Sequence, residues 1–170
     1  VIGSPDVDGK HIDGMGGATS STSKVVLVSK SQRPDCDVDY LFGAVSIQEP
    51  VIDWSGNCGN LTAAVGPFAI DQGLVHPTAD GTFPVRIWQE NIGKRIVAHV
   101  PVASGNVVEE GACELDGVAF PAAEIRIEFR DPAGGGGVPL LPTGNAVDRL
   151  EVAGMGALQA TLLNAGNPTV

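Results

Sequence analysis

Two short segments of the chain carry residue types that can do acid–base chemistry. The first, Asn57-Cys58-Gly59-Asn60, lies between a strand-like run at 50–54 and an apolar, helix-like run at 61–72. A cysteine placed there lies beside the unpaired N–H groups of the first helical turn, which favour negative charge. This setting favours the thiolate form of Cys58, or the carboxylate of a bound ligand. A buried cysteine in an ordinary strand-to-helix turn has the same local pattern, so this tetrapeptide leaves both interpretations open.

The second segment is a glycine- and hydroxyl-rich stretch, residues 14–24, which ends in Lys24 and runs directly into the apolar run 25–28. Small residues permit close approach of the backbone to a ligand, and hydroxyl groups donate to anionic oxygens. Lys24 adds a positive charge or a base. The Gly-x-x-x-x-Gly-Lys-Ser/Thr spacing of a nucleotide-binding loop is absent. The alternative is a flexible loop followed by a solvated lysine.

Taken together, these segments resemble the 2-methylaconitate cis–trans isomerases, aconitase-accessory proteins of the methylcitrate route for propionate. That superfamily includes diaminopimelate epimerase, whose Cys-Gly-Asn-Gly turn corresponds to Cys58-Gly59-Asn60-Leu61 here. The resemblance covers nearly the whole chain. It rests on the long motifs at 12–24, 37–42 and 53–60, and on shorter ones at 85–89, 91–94, 120–125, 142–145 and 164–169.

The resemblance implies an α+β fold of the diaminopimelate epimerase-like type, with a curled, mostly antiparallel sheet around a central buried helix. It also implies a cofactor-independent isomerase that removes a proton from an unsaturated tricarboxylate and returns it. Lys24 is then the expected base and Cys58 the second acid/base or a substrate-facing group. The expected substrate-binding residues are Ser20, Ser21, Thr22, Ser23, Asn57, Gly59, Asn60 and Leu61.

Two alternatives remain open at this point. A sister enzyme on the same scaffold, either a 4-oxalomesaconate tautomerase or a methylitaconate Δ-isomerase, has the same motifs. A non-catalytic protein that supports an aconitase-like 2-methylcitrate dehydratase is the other, although the presence of both Lys24 and Cys58 argues against it. A homodimer is compatible with each of these functions.

The ends of the chain predict a part of a larger enzyme. Residues 1–170 are expected to form the N-terminal half of a two-domain isomerase, without its opening segment and its second domain. Because the active site of such proteins lies between the halves, this chain is expected to form one wall of a cleft.

Composition restricts the class of protein. A hydrophobic fraction of 43% supports a folded core, and a net charge of -10 argues against nucleic-acid binding. No apolar run approaches the ~20 residues of a membrane span, and no signal segment opens the chain, so a cytoplasmic protein is expected. Cys36, Cys58 and Cys113 are widely separated and odd in number, which favours a reducing compartment and no zinc site. The three histidines, His11, His76 and His99, are interpreted as unpaired.

Hydrophobic periodicity predicts a protein made mostly of strands. The predicted strands are 25–29, 40–47, 83–89, 95–102, 106–110, 123–129 and 158–163, and the turn 91–94 predicts a hairpin. The run 61–72 is apolar on nearly every side, which predicts a helix buried all round. Gly66-Pro67 predicts a kink, and Gly73 the helix end. Residues 131–139, with four consecutive glycines, predict a mobile loop.

Overall fold

The computed structural model describes residues 1–133, 139–165 and 168–169. The chain divides into two compact units, Val1–Phe129 and Arg130–Val170. The first unit contains both of the segments singled out above.

A single mixed sheet and one helix make up the regular structure described in the first unit. The sheet has the strand order β1-β2-β4-β5-β6, with β3 added to β2 and β7 added to β5. The β2–β4 pair is parallel, whereas the other pairs are antiparallel. The predicted α+β fold with a mostly antiparallel sheet is therefore confirmed. The elements are β1 (Lys24–Lys30), β2 (Val38–Val45), β3 (Ile52–Asp53), α1 (Gly59–Asp71), β4 (Gly81–Gln89), β5 (Lys94–Ala103), β6 (Asn106–Val107) and β7 (Arg126–Phe129).

The core lies between the sheet and α1. Alternate residues of the central strands point to the same face, so Val38 and Tyr40 of β2 and Ile96, Ala98 and Val100 of β5 are all fully buried. The predicted hairpin is confirmed, because β4 and β5 pair along their length from Gly81↔Val102 to Gln89↔Lys94.

Helix α1 packs on the sheet through one face. Its buried residues are Thr62, Val65, Gly66, Ala69 and Ile70. On the other side Ala64 is exposed and Phe68 is 46% exposed. The prediction of a helix buried all round is therefore wrong for this chain, because the described part of the sheet covers only one side of α1.

The end of α1 follows the sequence. Gly73 takes a left-handed conformation with φ of 67°. Its N–H bonds to the carbonyl of Ile70, and the N–H of Leu74 bonds to that of Ala69. This pair of bonds is the Schellman ending, and it confirms the predicted stop. The helix continues through Pro67; the kink stays a prediction.

The second unit is built from short hairpins. Strand β8 (Asp148–Val152) pairs with β9 (Gly156–Ala160), and β10 (Leu163–Asn164) pairs with β11 (Pro168–Thr169). The strand predicted at 158–163 is thus divided between β9 and β10, and the strands predicted at 106–110 and 123–129 are shorter than expected. Most of the loop predicted at 131–139 lies outside the described residues.

Within the described part of the chain, no helix has the length and apolar character needed to cross a membrane.

Candidate functional site

The structure brings Lys24 and Cys58 into direct contact. Lys24 opens β1 opposite Ala44 of β2, and its strand neighbours Val26 and Val28 pack against the core. Lys24 lies on the same face as these valines, because side chains in a strand alternate. Cys58 is the N-cap residue of α1 and is 8% exposed. The Lys24 Nζ donates to the Cys58 Sγ over 3.6 Å.

The carbonyl of Cys58 is held from two elements. It accepts hydrogen bonds from the Thr62 N–H at 3.2 Å and from the Thr62 Oγ1 at 2.8 Å. The hydroxyl of Tyr40, on β2, donates to the same oxygen at 3.3 Å. Burial raises the pKa of the Tyr40 phenol, so at neutral pH this group is a hydroxyl that can donate. The position of Cys58 is therefore fixed by both the sheet and the helix.

The first turn of α1 supplies hydrogen-bond donors. The N–H groups of Gly59, Asn60 and Leu61 have no acceptor within the helix, and Cys58 makes no side-chain bond to cap them. The first turn contains no acidic residue, so nothing in it offsets the positive end of the helix dipole. Together with Lys24, this end forms a locally positive place for an anion in a chain whose net charge is -10.

Asn57, Gly59 and Asn60 are exposed, and Leu61 is half-buried. The ring of Phe129 lies close to Gly59. A Cβ atom added to Gly59 would be 3.9 Å from the Phe129 Cζ. Leu61 also lines an apolar groove of about 170 Å³ between β1 and α1. Five of the predicted site residues, Cys58 to Leu61 and Lys24, therefore meet at one place, with Asn57 beside them.

The hydroxyl-rich loop is folded mainly on itself. The Thr19 and Thr22 hydroxyls lie 2.9 Å apart, as do those of Thr19 and Ser21. The Gly17 N–H donates to the Thr22 Oγ1 at 3.1 Å, and a Cβ at Gly17 would lie 2.5 Å from that oxygen. The small residue at Gly17 thus permits closure of the loop rather than approach of a ligand.

Ser23 and His11 form a buried polar contact at the base of this loop. Ser23 is 1% exposed and His11 is 2% exposed. The His11 Nε2 lies 3.3 Å from the Ile47 carbonyl, and its Nδ1 lies 3.5 Å from the Ser23 Oγ. The carbonyl can only accept, so Nε2 carries the proton and Nδ1 accepts from Ser23 when the ring is neutral. The interpretation of His11 as an unpaired residue is wrong, since its partners are distant in sequence.

Ser20 faces a different groove. That groove, of about 520 Å³, is lined by Gly9, Ala18, Ser20 and the segment Val45–Glu49; of the described residues, neither Lys24 nor Cys58 is among its lining. The structure thus places Ser23 in the packing of the loop and Ser20 beside a second groove. The assignment of Ser20, Ser21, Thr22 and Ser23 to substrate binding stays a prediction.

Asn91 has a structural role that the sequence did not indicate, although it lies in the motif and hairpin turn at 91–94. Its Oδ1 accepts from the Phe42 N–H at 2.8 Å and from the Gln89 Nε2 at 2.6 Å. Its Nδ2 donates to the carbonyls of Phe42 at 2.8 Å and Trp54 at 2.5 Å. The turn of the β4–β5 hairpin is thereby tied to the segment that leads into Cys58. The sequence placed Asn91 in a turn and in a family motif, and neither of these shows which distant backbone groups its amide contacts.

The remaining titratable groups do not form a second site. Cys36 is buried, and burial raises the pKa of its thiol, which keeps it protonated. Cys113 is exposed. His99 faces Glu128 at 3.4 Å on neighbouring strands. Among the residues that the structure describes, no group of three or more His, Cys, Asp or Glu is placed to hold a metal ion.

Comparisons with known proteins identify the family and agree with this fold. The family model described as PrpF protein matches residues 1–170. A 2-methyl-aconitate isomerase from Cupriavidus necator is 64% identical over all of this chain and 44% of its own length. Another, from Shewanella oneidensis, is 61% identical over the same shares.

Among solved structures, the crystal structure of a methylitaconate-delta-isomerase superposes with a TM-score of 0.88. It is 42% identical, and the match covers 99% of this chain and 42% of that one. This likeness fits the predicted diaminopimelate epimerase-like fold. The chain spans less than half the length of the relatives that it matches. Because the family model matches every residue from 1 to 170, the chain belongs to the PrpF family.

Proposed function

We propose that the full-length protein containing this chain isomerises 2-methylaconitate between its cis and trans forms by removal and return of a proton. The observation that carries the proposal is the contact of 3.6 Å between Lys24 Nζ and Cys58 Sγ. The contact lies at the N-terminus of α1, where a carboxylate is stabilised by unpaired N–H groups. A base, a second proton carrier and an anion-binding turn are thus assembled in one place.

The chemistry requires all three parts. A base removes a proton from a carbon atom next to the carbon–carbon double bond of the acid. The negative charge then spreads into a carboxylate and the neighbouring double bond. While the charge is delocalised, the geometry about the former double bond can change, and the proton then returns. Donors placed where the negative charge develops stabilise this intermediate, and loss of one such donor typically costs ~3–4 kcal/mol. The N–H groups of Gly59, Asn60 and Leu61 are the candidates for this role.

The two side chains can exchange roles through their hydrogen bond. Lys24 must be an uncharged amine to accept a proton from carbon. Transfer of one proton from Lys24 Nζ to Cys58 Sγ along this contact converts an ammonium–thiolate pair into an amine–thiol pair. In the second form Lys24 is the base, and Cys58 is a thiol that can return a proton to the intermediate. This assignment retains the two catalytic roles expected from the family motifs.

The comparisons favour 2-methylaconitate over the related acids. Relatives named for this substrate share 64% and 61% of residues with the chain, whereas the methylitaconate isomerase of known structure shares 42%. Isomerisation of methylitaconate or of 4-oxalomesaconate requires the same base and donors, so the substrate has to be determined by experiment. Full-length protein would be incubated in deuterium oxide with each of the three acids and followed by proton NMR. The true substrate should show isomer formation together with fast exchange of the abstracted proton.

Lys24 is expected to be required for the reaction but dispensable for folding. In the full-length protein, Lys24→Ala should lower kcat at least about 1000-fold, because the proton-abstracting group is removed. The thermal midpoint should change little, since Lys24 is a half-buried residue at the end of an edge strand. The measurements are initial rates by NMR and thermal unfolding by circular dichroism.

Lys30 offers a matched control on the same strand. It lies at the other end of β1 and donates to the Leu74 carbonyl at 2.8 Å. Lys30→Ala should keep kcat within about twofold of the unsubstituted protein. Near-normal turnover in Lys24→Ala would remove Lys24 from the mechanism.

A further inference from the structure

The carbonyl of Cys58 accepts more hydrogen bonds than the N-cap position of a helix requires. Its bond from the Thr62 N–H is the ordinary first bond of the helix. Two hydroxyl groups are added to it, the Thr62 Oγ1 at 2.8 Å and the Tyr40 hydroxyl at 3.3 Å. Both residues are 0% exposed, so neither hydroxyl has water as a partner in its place.

A hydroxyl bond from Thr62 alone would be unremarkable, because threonine often bonds to the carbonyl four residues earlier in a helix. The Tyr40 bond is different. It connects β2 to the start of α1 across 18 positions in the chain. A phenol buried in a core costs free energy unless its hydroxyl finds a partner, and the Tyr40 hydroxyl donates to this carbonyl.

We propose that Tyr40 and Thr62 are positioning residues of the isomerase site, acting through the peptide group between Cys58 and Gly59. This inference rests on the proposed function. The two hydroxyls hold the Cys58 backbone, and thereby keep its Sγ against Lys24. They also act on the Gly59 N–H, because the Cys58 carbonyl and the Gly59 N–H belong to the same peptide group.

The second effect follows from cooperativity. Hydrogen bonds donated to a carbonyl polarise its peptide group, which makes the N–H of that group a stronger donor. The Gly59 N–H is the first unpaired donor of α1 and lies beside Cys58. Two additional donors on the carbonyl therefore strengthen the N–H that is expected to face the developing negative charge. A purely structural hydrogen bond would have no such effect on the reaction.

The test uses conservative variants of the full-length protein. Tyr40→Phe and Thr62→Val each remove one hydroxyl and keep the size of the side chain, whereas Thr62→Ser keeps the hydroxyl. Ile87→Val is the control for loss of core packing, because Ile87 is 0% exposed on β4 and carries no polar group. Two quantities are measured for each variant, kcat and KM by NMR, and the rate at which iodoacetamide alkylates Cys58 by peptide mass spectrometry.

We expect Tyr40→Phe and Thr62→Val each to lower kcat about threefold to tenfold with KM changed less than about twofold, as for loss of a neutral hydrogen bond that matters most in the transition state. Thr62→Ser should keep at least about half of the activity, and Ile87→Val should have normal kcat. Cys58, now 8% exposed, should be alkylated at least about threefold faster in the first two variants. The rate at the buried Cys36 should stay unchanged.

The inference is overturned if Tyr40→Phe and Thr62→Val lower kcat no more than Ile87→Val does. Unchanged alkylation of Cys58 in both variants would equally overturn it. The alkylation measurement needs no substrate, so it separates this inference from the proposed function. Should the unsubstituted protein isomerise none of the three acids, the proposed function fails, and the alkylation rates still decide whether the two hydroxyls position Cys58.

Discussion

At the scale of single residues, the Lys24–Cys58 pair is supported by buried polar side chains on both sides. Tyr40 and Thr62 hold the carbonyl of Cys58. On the other side His11 bonds to Ser23, the residue that directly precedes Lys24. Each of these supporting groups is less than 3% exposed. The Lys24–Cys58 contact is thus flanked by buried groups that bulk water does not reach, which is how a short strand edge and a helix start can hold a fixed geometry.

A partly exposed ion pair, that of Asp37 with Arg86, predicts how stability depends on pH. The Asp37 carboxylate accepts from the Arg86 backbone N–H at 2.8 Å and from its guanidinium at 2.7 Å and 3.1 Å. Burial acts to raise the pKa of Asp37, but the bonds from Arg86 outweigh it and lower that pKa below its usual value. A lowered pKa in the folded state gives stability that is fully present above the unfolded value of ~3.9 and is lost as pH falls through the folded value.

Asp37→Asn should therefore cost about 1 kcal/mol at pH 7 and progressively less below about pH 4, as for one hydrogen-bonded, partly exposed ion pair. Urea unfolding of both proteins across this range measures the difference. Asp35→Asn serves as control, because Asp35 and its partner Arg95 are 52% and 53% exposed and should contribute little. A difference for Asp37→Asn that is constant with pH would contradict the assignment.

The two candidate residues that lie in contact, Lys24 and Cys58, were singled out from the sequence, whereas the residues that support them were not. Lys24 and Cys58 lie in continuous motifs that resemble those of the family, so they could be named as candidates, and their catalytic roles stay a prediction. The partners of His11 are 12 and 36 positions away, and Tyr40 is 18 positions from Cys58. Contacts at such separations depend on strand order, and no short motif records them. The hydroxyl-rich loop shows the opposite case. Ser23 is of a residue type expected in a ligand site, but its side chain packs inward.

At the scale of elements, the close approach of α1 to the sheet depends on one glycine. A Cβ added to Gly66 would lie 2.7 Å from the Val100 Cγ2 and 2.9 Å from the Ala98 Cβ, both on β5. Gly66→Ala should therefore destabilise the protein by about 1–3 kcal/mol through overpacking. This is opposite in sign to the gain of about 1 kcal/mol that alanine normally brings to a helix interior.

Gly59→Ala is the matched substitution in the same helix. There the new Cβ would meet only the Phe129 ring, at an ordinary distance of 3.9 Å. Chemical unfolding should show Gly59→Ala near or above the stability of the unsubstituted protein, and Gly66→Ala clearly below it. Equal stability of the two variants would mean that α1 does not pack so closely on β5.

Element prediction succeeded where the local pattern is strong. Strands β1, β2, β4 and β5 and the end of α1 follow from alternation and from Gly73, because each has a regular period or a specific capping residue. Strand β8 (Asp148–Val152) was not predicted, and its burial is low along its length. Leu150 and Val152 alternate with Arg149 and Glu151, but a run of four residues is too short to distinguish a strand from a loop. The exposed side of α1 was also missed, because an apolar sequence does not reveal which side the rest of the molecule covers.

At the scale of the whole molecule, the chain carries half of what the proposed reaction needs. It contains Lys24 and Cys58, the candidates for base and second proton carrier, at the N-terminus of α1, and it spans 44% of the length of the two 2-methyl-aconitate isomerases that it matches. Gly59 and Asn60 are exposed to water, which competes for the hydrogen bonds of their N–H groups. Exclusion of water is what makes such donors strong in an active site. We therefore propose that the site is one wall of a cleft whose other wall lies in the remainder of the full-length protein.

Residues 1–170 produced alone should consequently be inactive as an isomerase. Removing a catalytic wall should cost several kcal/mol of transition-state stabilisation, which corresponds to a loss of at least about 1000-fold in kcat/KM. The measurement compares this chain with the full-length protein by NMR at equal protein concentrations. Circular dichroism of the isolated chain and of its Lys24→Ala variant shows whether each is folded. It thereby separates loss of folding from loss of the cleft. Activity of the folded chain within about tenfold of the full-length protein would place the whole mechanism within these residues and contradict the proposal of a two-walled site.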